Sequence, residues 1–175
     1  MGLVFAVLAM TTIVAVSNFA VQFPLNDWVT WGTLTYPVAF LVTDLTNRAY
    51  GAKRTRRVVY IGFVFAVALS FWLATPRIAL ASGTAFLVAQ LCDIYVFDRL
   101  RRRTWWQAPL GSSAIAATLD TALFFSLAFY GTQVPWVTLG MGDVVAKFAM
   151  AAIMLIPFGI LRSRIRAVPA KQRCG

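Results

Sequence analysis

Six apolar runs, at 3–21, 32–46, 58–74, 78–97, 108–130 and 142–161, alternate with short polar stretches, and this alternation constrains the fold more than any single motif. A helix rises about 1.5 Å per residue, so roughly 20 residues cross the hydrocarbon layer of a bilayer. Most of the runs approach that length. The second, interrupted by Pro37 and Asp44, reaches it only if it extends to Tyr50. With 60% hydrophobic and 13% charged residues and a mean hydropathy of +0.74, a chain of 175 residues is too apolar for a soluble domain and reads as a polytopic membrane protein. No basic stretch precedes the first run, which is therefore expected as a retained helix rather than a cleaved signal.

The cations fix the orientation. With six spans and an internal N-terminus, the segments 48–57, 98–107 and 162–173 hold five, four and five Lys/Arg, the opposite loops hold only Arg77, and Lys147 completes the sixteen. Cytoplasmic loops carry such an excess. The sequence thus predicts an all-α integral membrane protein, one domain over 1–175, with spans near 3–21, 32–50, 58–74, 78–97, 108–130 and 142–161 and both termini cytoplasmic. The stretch 22–30 and the cation-free stretch 131–141 are expected as loops, and Trp28, Trp31, Trp105 and Trp106 suit membrane interfaces. The formal charge of +10 follows from these basic blocks and does not point to nucleic acid.

Several chemistries are excluded by composition. There is no histidine, which removes histidine bases and the common metal sites. Cys92 and Cys174 lie far apart and form no metal or redox motif. No phosphate-cradling glycine motif occurs, so any ATP hydrolysis would belong to another subunit. No cofactor is expected.

What remains is a set of polar groups within apolar runs, where each is costly unless it meets a partner, water or a substrate. All six acids are aspartates, and Asp44, Asp93, Asp120 and Asp143 fall in or at the ends of spans. Gln90 and Asp93 share one helical face in the run that ends at the arginines of 99–103. Asp120 lies near mid-bilayer with no basic residue within a turn, and Lys147 reaches comparable depth from the other side. Asn18 and Gln22 lie at the outer end of the first span. Structural pairings compete with functional roles: Asp44 with Arg48, Asp93 with Arg99 or its neighbours, and Lys147 with Asp143 as readily as with Asp120. The small residues at 111–118 read as helix packing. FLVTDL at 40–45 and FLVAQL at 86–91 match at four of six positions, a faint echo open to duplication or to common membrane composition. Carboxylates and amides without a nucleophile suit recognition of a small polar solute better than bond-breaking.

The motifs carry a resemblance. SNFAVQFP at 17–24, TWG at 30–32, FLVTDLTNRAYG at 40–51, QLCDIYVFDRL at 90–100, WWQAP at 105–109, LDTALFF at 119–125, DVVAK at 143–147 and IPFG at 156–159 resemble the queuosine precursor transporter family, also called the vitamin uptake transporter family. The resemblance implies a bacterial inner-membrane importer of 7-cyano- and 7-aminomethyl-7-deazaguanine. It also implies a helix number similar to that of the substrate-binding subunits of energy-coupling-factor transporters. Asn18, Gln22, Asp44, Gln90, Asp93, Asp120 and Lys147 are the expected substrate-binding residues, and Arg48 and Asp143 the expected structural or coupling residues. The turn between the third and fourth runs is shorter than in longer members. A guanine-like edge presents N1–H and 2-amino donors that a carboxylate at Asp93 or Asp120 accepts as a pair, and acceptors that suit the amides of Gln90 or Asn18. Asp44 or Asp120 is the expected proton-coupling group. The competing readings are a binding subunit for another vitamin-like solute served by a separate ATP-driven module, and a scaffold whose aspartates only pair helices. Homo-oligomerisation stays open.

Overall fold

The computed structural model describes residues 2–20, 23, 25, 29, 31–73, 75–165 and 167–168. Gln22, most of the stretch 22–30 and the last residues of the basic tail lie outside them, as does the side chain of Asn18. The described elements are all helical: α1 (Leu3–Ala20), α2 (Trp31–Thr35), α3 (Pro37–Tyr50), α4 (Ala52–Leu73), α5 (Pro76–Leu100), α6 (Gln107–Phe129) and α7 (Trp136–Arg164). Three of them, α5, α6 and α7, are long and apolar enough to cross a membrane, and α1 contributes a shorter apolar helix over Leu3–Ser17.

The second apolar run is not one helix. It breaks at Tyr36, and Pro37, whose missing N–H costs nothing at a helix start, opens α3. The other end of α3 is closed by Gly51, whose φ of 79° suits a residue without Cβ and whose N–H returns to Asn47 O. Two helices run beyond the expected spans. α4 starts at Ala52 rather than 58, because the chain reverses at Gly51 and the following lysine and arginines are good helix formers. α7 starts at Trp136, so 136–141 is helix where a loop is expected. Pro135 is the last breaker there, and Gly140 costs a helix only about 1 kcal/mol.

α3, only 14 residues long, touches every other helix, whereas α1, α4, α5, α6 and α7 surround it. The interior interleaves alanines, including Ala39, Ala66, Ala85, Ala89, Ala116 and Ala117, with a few large groups such as Phe86, Met10 and Ile94. Large apolar groups such as Phe5, Trp72, Val145 and Ile156 point outward. This distribution suits a lipid solvent, in which helices gain by close packing rather than by hiding leucines from water. Arg77, the cation away from the basic blocks, donates from Nε to Leu127 O at 3.0 Å and from Nη2 to Tyr130 O, capping the carbonyls that end α6.

Close approach has a local test at Gly62, where a Cβ would stand 2.7 Å from Met10 Cγ of α1. Gly62→Val is expected to destabilise the bundle by about 1–3 kcal/mol through overpacking, read as a lowered thermal midpoint in detergent. Gly140→Ala, with 3.6 Å of clearance, does not lower the midpoint and is expected to raise it slightly, by the roughly 1 kcal/mol that glycine costs a helix.

Candidate functional site

The polar face of α3 meets α5 in parallel register. Thr43 Oγ1 donates to Gln90 Oε1 at 2.6 Å, and one turn on, Asn47 Nδ2 donates to Ile94 O at 3.2 Å. Ser112 of α6 donates to Asp44 Oδ1 at 3.3 Å and also approaches Pro109 O. Asp93 lies beside Asp44 and Ser112. Thr43, Asp44, Asn47, Gln90, Asp93 and Ser112 are all buried, with Gln90 and Asp93 at 0% exposure. Against that burial, neither Asp93 oxygen meets a donor in hydrogen-bonding geometry, and Gln90 Nε2 meets no acceptor. On α5 the Gln90 amide N–H is left open, and three residues on, the Asp93 oxygens have only the Asp44 carboxyl and the Ser112 hydroxyl nearby, neither in full hydrogen-bonding geometry. Toward the start of α5, Phe86 precedes Gln90 by one turn and packs edge-on against Tyr36, with centroids 6.1 Å apart.

A second polar cluster joins α6 to α7. Lys147 Nζ pairs with Asp120 Oδ2 at 2.8 Å and Asp143 Oδ2 at 2.5 Å, and donates to Thr121 Oγ1 at 3.1 Å. Thr121 in turn donates to Asp143 Oδ2 at 2.7 Å. Asp120 is also within electrostatic range of Tyr36, which links this cluster to the aromatic wall beside Gln90. From the helical rise, Asp120 lies about 20 Å along α6 and Lys147 about 16 Å along α7 from their first residues. Formally the cluster holds two carboxylates and one ammonium, and each charge has a partner.

The expected pairings resolve unevenly. Lys147 takes both Asp143 and Asp120. Asp44 makes no ion pair with Arg48 and turns to Ser112 instead. Asp93 makes none with Arg99, whose guanidinium sits 4.9 Å over the Tyr95 ring, and the arginine block is served by Asp98, which pairs with Arg101 at 2.8 Å. The structure thus brings Asp44, Gln90 and Asp93 together and Asp120, Asp143 and Lys147 together. Arg48 lies at the arginine-rich end of α3, and Asn18 and Gln22 are not described. Thr43, Asn47, Ser112, Thr121 and Tyr36 were not among the expected site residues. For Thr43, Asn47 and Thr121 the signal in the sequence is a hydroxyl or amide within one turn of an aspartate, which is weak because such residues also pack or bond their own helix. Ser112 and Tyr36, each eight residues from the nearest aspartate, carry no such signal.

Breaking the α6–α7 cluster has a calculable cost. Lys147→Met leaves two buried carboxylates without a counter-charge, so a loss of about 3–5 kcal/mol is expected. Adding Asp120→Asn and Asp143→Asn to that variant should restore most of it in thermal unfolding. A Lys147→Met protein that unfolds at the wild-type temperature would contradict the pairing.

Comparison with known proteins identifies the family. A family described as "Putative vitamin uptake transporter" matches residues 30–75 and 68–161. A "Probable queuosine precursor transporter" of Haemophilus influenzae is 36% identical over 85% of this chain and 81% of its own length. The "Queuosine precursor transporter" of Escherichia coli is 31% identical with the same coverage, and a "Probable queuosine precursor transporter" of Bacillus subtilis is 29% identical over 72% of this chain and 68% of its own. No solved structure matches. The apolar helices mark a membrane protein, and by the family match and the identity to these relatives the chain belongs to the queuosine precursor transporter family, the vitamin uptake transporter family.

Proposed function

We propose that this protein is a bacterial inner-membrane importer of queuosine precursors, 7-cyano- or 7-aminomethyl-7-deazaguanine. In this reading it is a six-span bundle with both termini cytoplasmic, similar in helix number to the substrate-binding subunits of energy-coupling-factor transporters. The single observation that carries the reading is the open hydrogen-bonding set on α5: Asp93 Oδ1 and Oδ2 as acceptors and Gln90 Nε2 as donor, all buried. A buried unpaired polar group costs about 1–3 kcal/mol, and more when charged, so this set favours an occupant that fills it. The edge of a 7-deazaguanine is complementary: N1–H and the 2-amino group donate toward the carboxylate, and O6 accepts from the amide. Phe86 and Tyr36 offer aromatic surface to the ring.

Asp120, Asp143 and Lys147 are assigned to the same transport path from the other side of Tyr36. Their closed pairing supports a supporting role over direct reading of the base. Asp44 and Ser112 back the Asp93 carboxyl, and Asn18 and Gln22 are assigned to the outer mouth.

A second reading is favoured by one observation, the exposed cations Lys53, Arg54, Arg56 and Arg57 at the start of α4 and Arg102 and Arg103 after α5. They would suit docking of a separate ATP-driven module, with this chain as its substrate-binding subunit. Proteoliposomes holding only this protein distinguish the two. Uptake of labelled 7-cyano-7-deazaguanine is expected without any partner or ATP. Asp93→Asn is expected to lower uptake at limiting substrate about 10- to 100-fold, the worth of a hydrogen bond to a charged group. No uptake by the protein alone, with binding retained, would favour the module. Wild-type uptake by both Asp93→Asn and Gln90→Ala would sink the site assignment.

A further inference from the structure

At the arginine-rich end of the bundle, beyond the Gln90–Asp93 site, the ends of α3, α5, α6 and α7 line a separate, partly open concavity of about 70 Å³. Its lining includes Arg48, Arg101, Phe97, Trp105, Phe158 and Thr104. The charges there are not balanced. Arg101 pairs with Asp98 at 2.8 Å, and its Nη2 also donates to Asn47 O and Oδ1 at 3.0 and 2.7 Å, so it is committed to holding α5 on α3. Arg162 sits 4.5 Å over the Trp105 ring and within electrostatic range of Arg48. For Arg48 no ion pair forms among the described residues, and its Nε is buried without a hydrogen-bond partner.

Three guanidinium groups thus converge with one carboxylate among them; Arg48 and Arg162 have none among the described residues, and of these two Arg48 lines the pocket. Arg48 is partly buried, and its buried Nε–H without an acceptor is unfavourable until an anion at the pocket supplies partners for the guanidinium. A guanidinium presents a planar fork that matches phosphate oxygens in pairs. The excess of formal positive charge suits a phosphate group better than a single carboxylate. Beside Thr104 and two alanines, the remaining lining is Phe97, Trp105 and Phe158, whose aromatic surface suits an organic moiety attached to the phosphate.

We propose that this pocket is a binding site for an organic phosphate, with Arg48 as its principal anchor and Trp105 as a wall for the attached group. The site is distinct from the one that reads the purine-like edge and does not depend on that assignment. Its rim is formed by the chain after α7. Val168 N–H donates to Arg48 O at 2.9 Å, and Ala167 lines the wall. An occupant therefore ties the ends of α3, α5 and α7 together. The phosphate has two sources, the headgroup of an anionic lipid or a soluble phosphate ester.

The test uses the full chain in phosphatidylcholine nanodiscs at fixed ionic strength, with thermal unfolding as the readout. The probes are inorganic phosphate, glycerol 3-phosphate, and nanodiscs in which phosphatidylglycerol replaces part of the phosphatidylcholine. At least one is expected to raise the midpoint by several degrees over chloride, since a ligand of the folded state alone must stabilise it. Arg48→Gln is expected to weaken that response at least about tenfold in apparent affinity. Arg54→Gln removes the same charge from an exposed position and leaves the response unchanged. Arg48→Lys, which keeps the charge but not the fork, replaces Arg48→Gln should the latter not fold. A response to glycerol 3-phosphate in phosphatidylcholine identifies a soluble ester, and a response only to phosphatidylglycerol identifies a lipid headgroup. No response to any probe, or equal responses from the Arg48 and Arg54 variants, overturns the proposal.

Discussion

A polar helix at the centre of an apolar bundle is the constraint on which the rest of this structure depends. α3 carries Thr43, Asp44, Thr46 and Asn47 buried within 14 residues, a composition that could not face lipid. It is tolerated because every other helix touches it and the surrounding elements supply partners: Gln90 and the Ile94 carbonyl from α5, Ser112 from α6, and Arg101 from the turn after α5. The alanines of α5 and α6 follow from the same demand, since short hydrogen bonds between helices require backbones that approach closely. A helix too short and too polar to span alone thus becomes the axis of the bundle.

The two polar centres differ in how completely they are satisfied, and that difference carries the functional reading. On α6 and α7, one lysine, two aspartates and a threonine close on one another, as a structural network in low dielectric must if it is to be stable. On α5, the Asp93 carboxyl and the Gln90 amide are equally buried but remain open. Under the proposed function, that set of acceptors and a donor is complementary to the two donors and one acceptor of a guanine-like edge. The relatives are named as transporters rather than enzymes, in keeping with a site built to hold rather than to cleave.

Much of this was legible in the sequence because it is written in composition and spacing. Apolar runs and the Lys/Arg blocks gave the helical membrane class, and aspartates in those runs marked the polar centres. The finer geometry was not. Lys147 pairs both Asp143 and Asp120, which neighbouring positions on one helix could not decide. Asp44 turns from Arg48 to Ser112 because helix rotation, which composition leaves undetermined, points it at α6. Ser112 reads as a packing residue until its hydroxyl is seen against a carboxylate. The beginning of α7 differs from the expectation because 136–141, cation-free and holding Gly140, reads as loop, yet it contains no proline after Pro135 to keep those residues from helix. The echo between 40–45 and 86–91 falls on the two helices that run side by side, with Thr43 on Gln90 and Asn47 on Ile94.

The most direct measurement is the affinity of the purified protein for a series of 7-deazapurines that differ only in the edge presented. If Asp93 accepts from both N1–H and the 2-amino group, removing the 2-amino group, as in 7-deazahypoxanthine, should weaken binding about 10- to 100-fold relative to 7-deazaguanine. In Asp93→Asn that discrimination should shrink to a small factor. Equal affinity of the wild-type protein for the two bases, or undiminished discrimination in Asp93→Asn, would contradict the account.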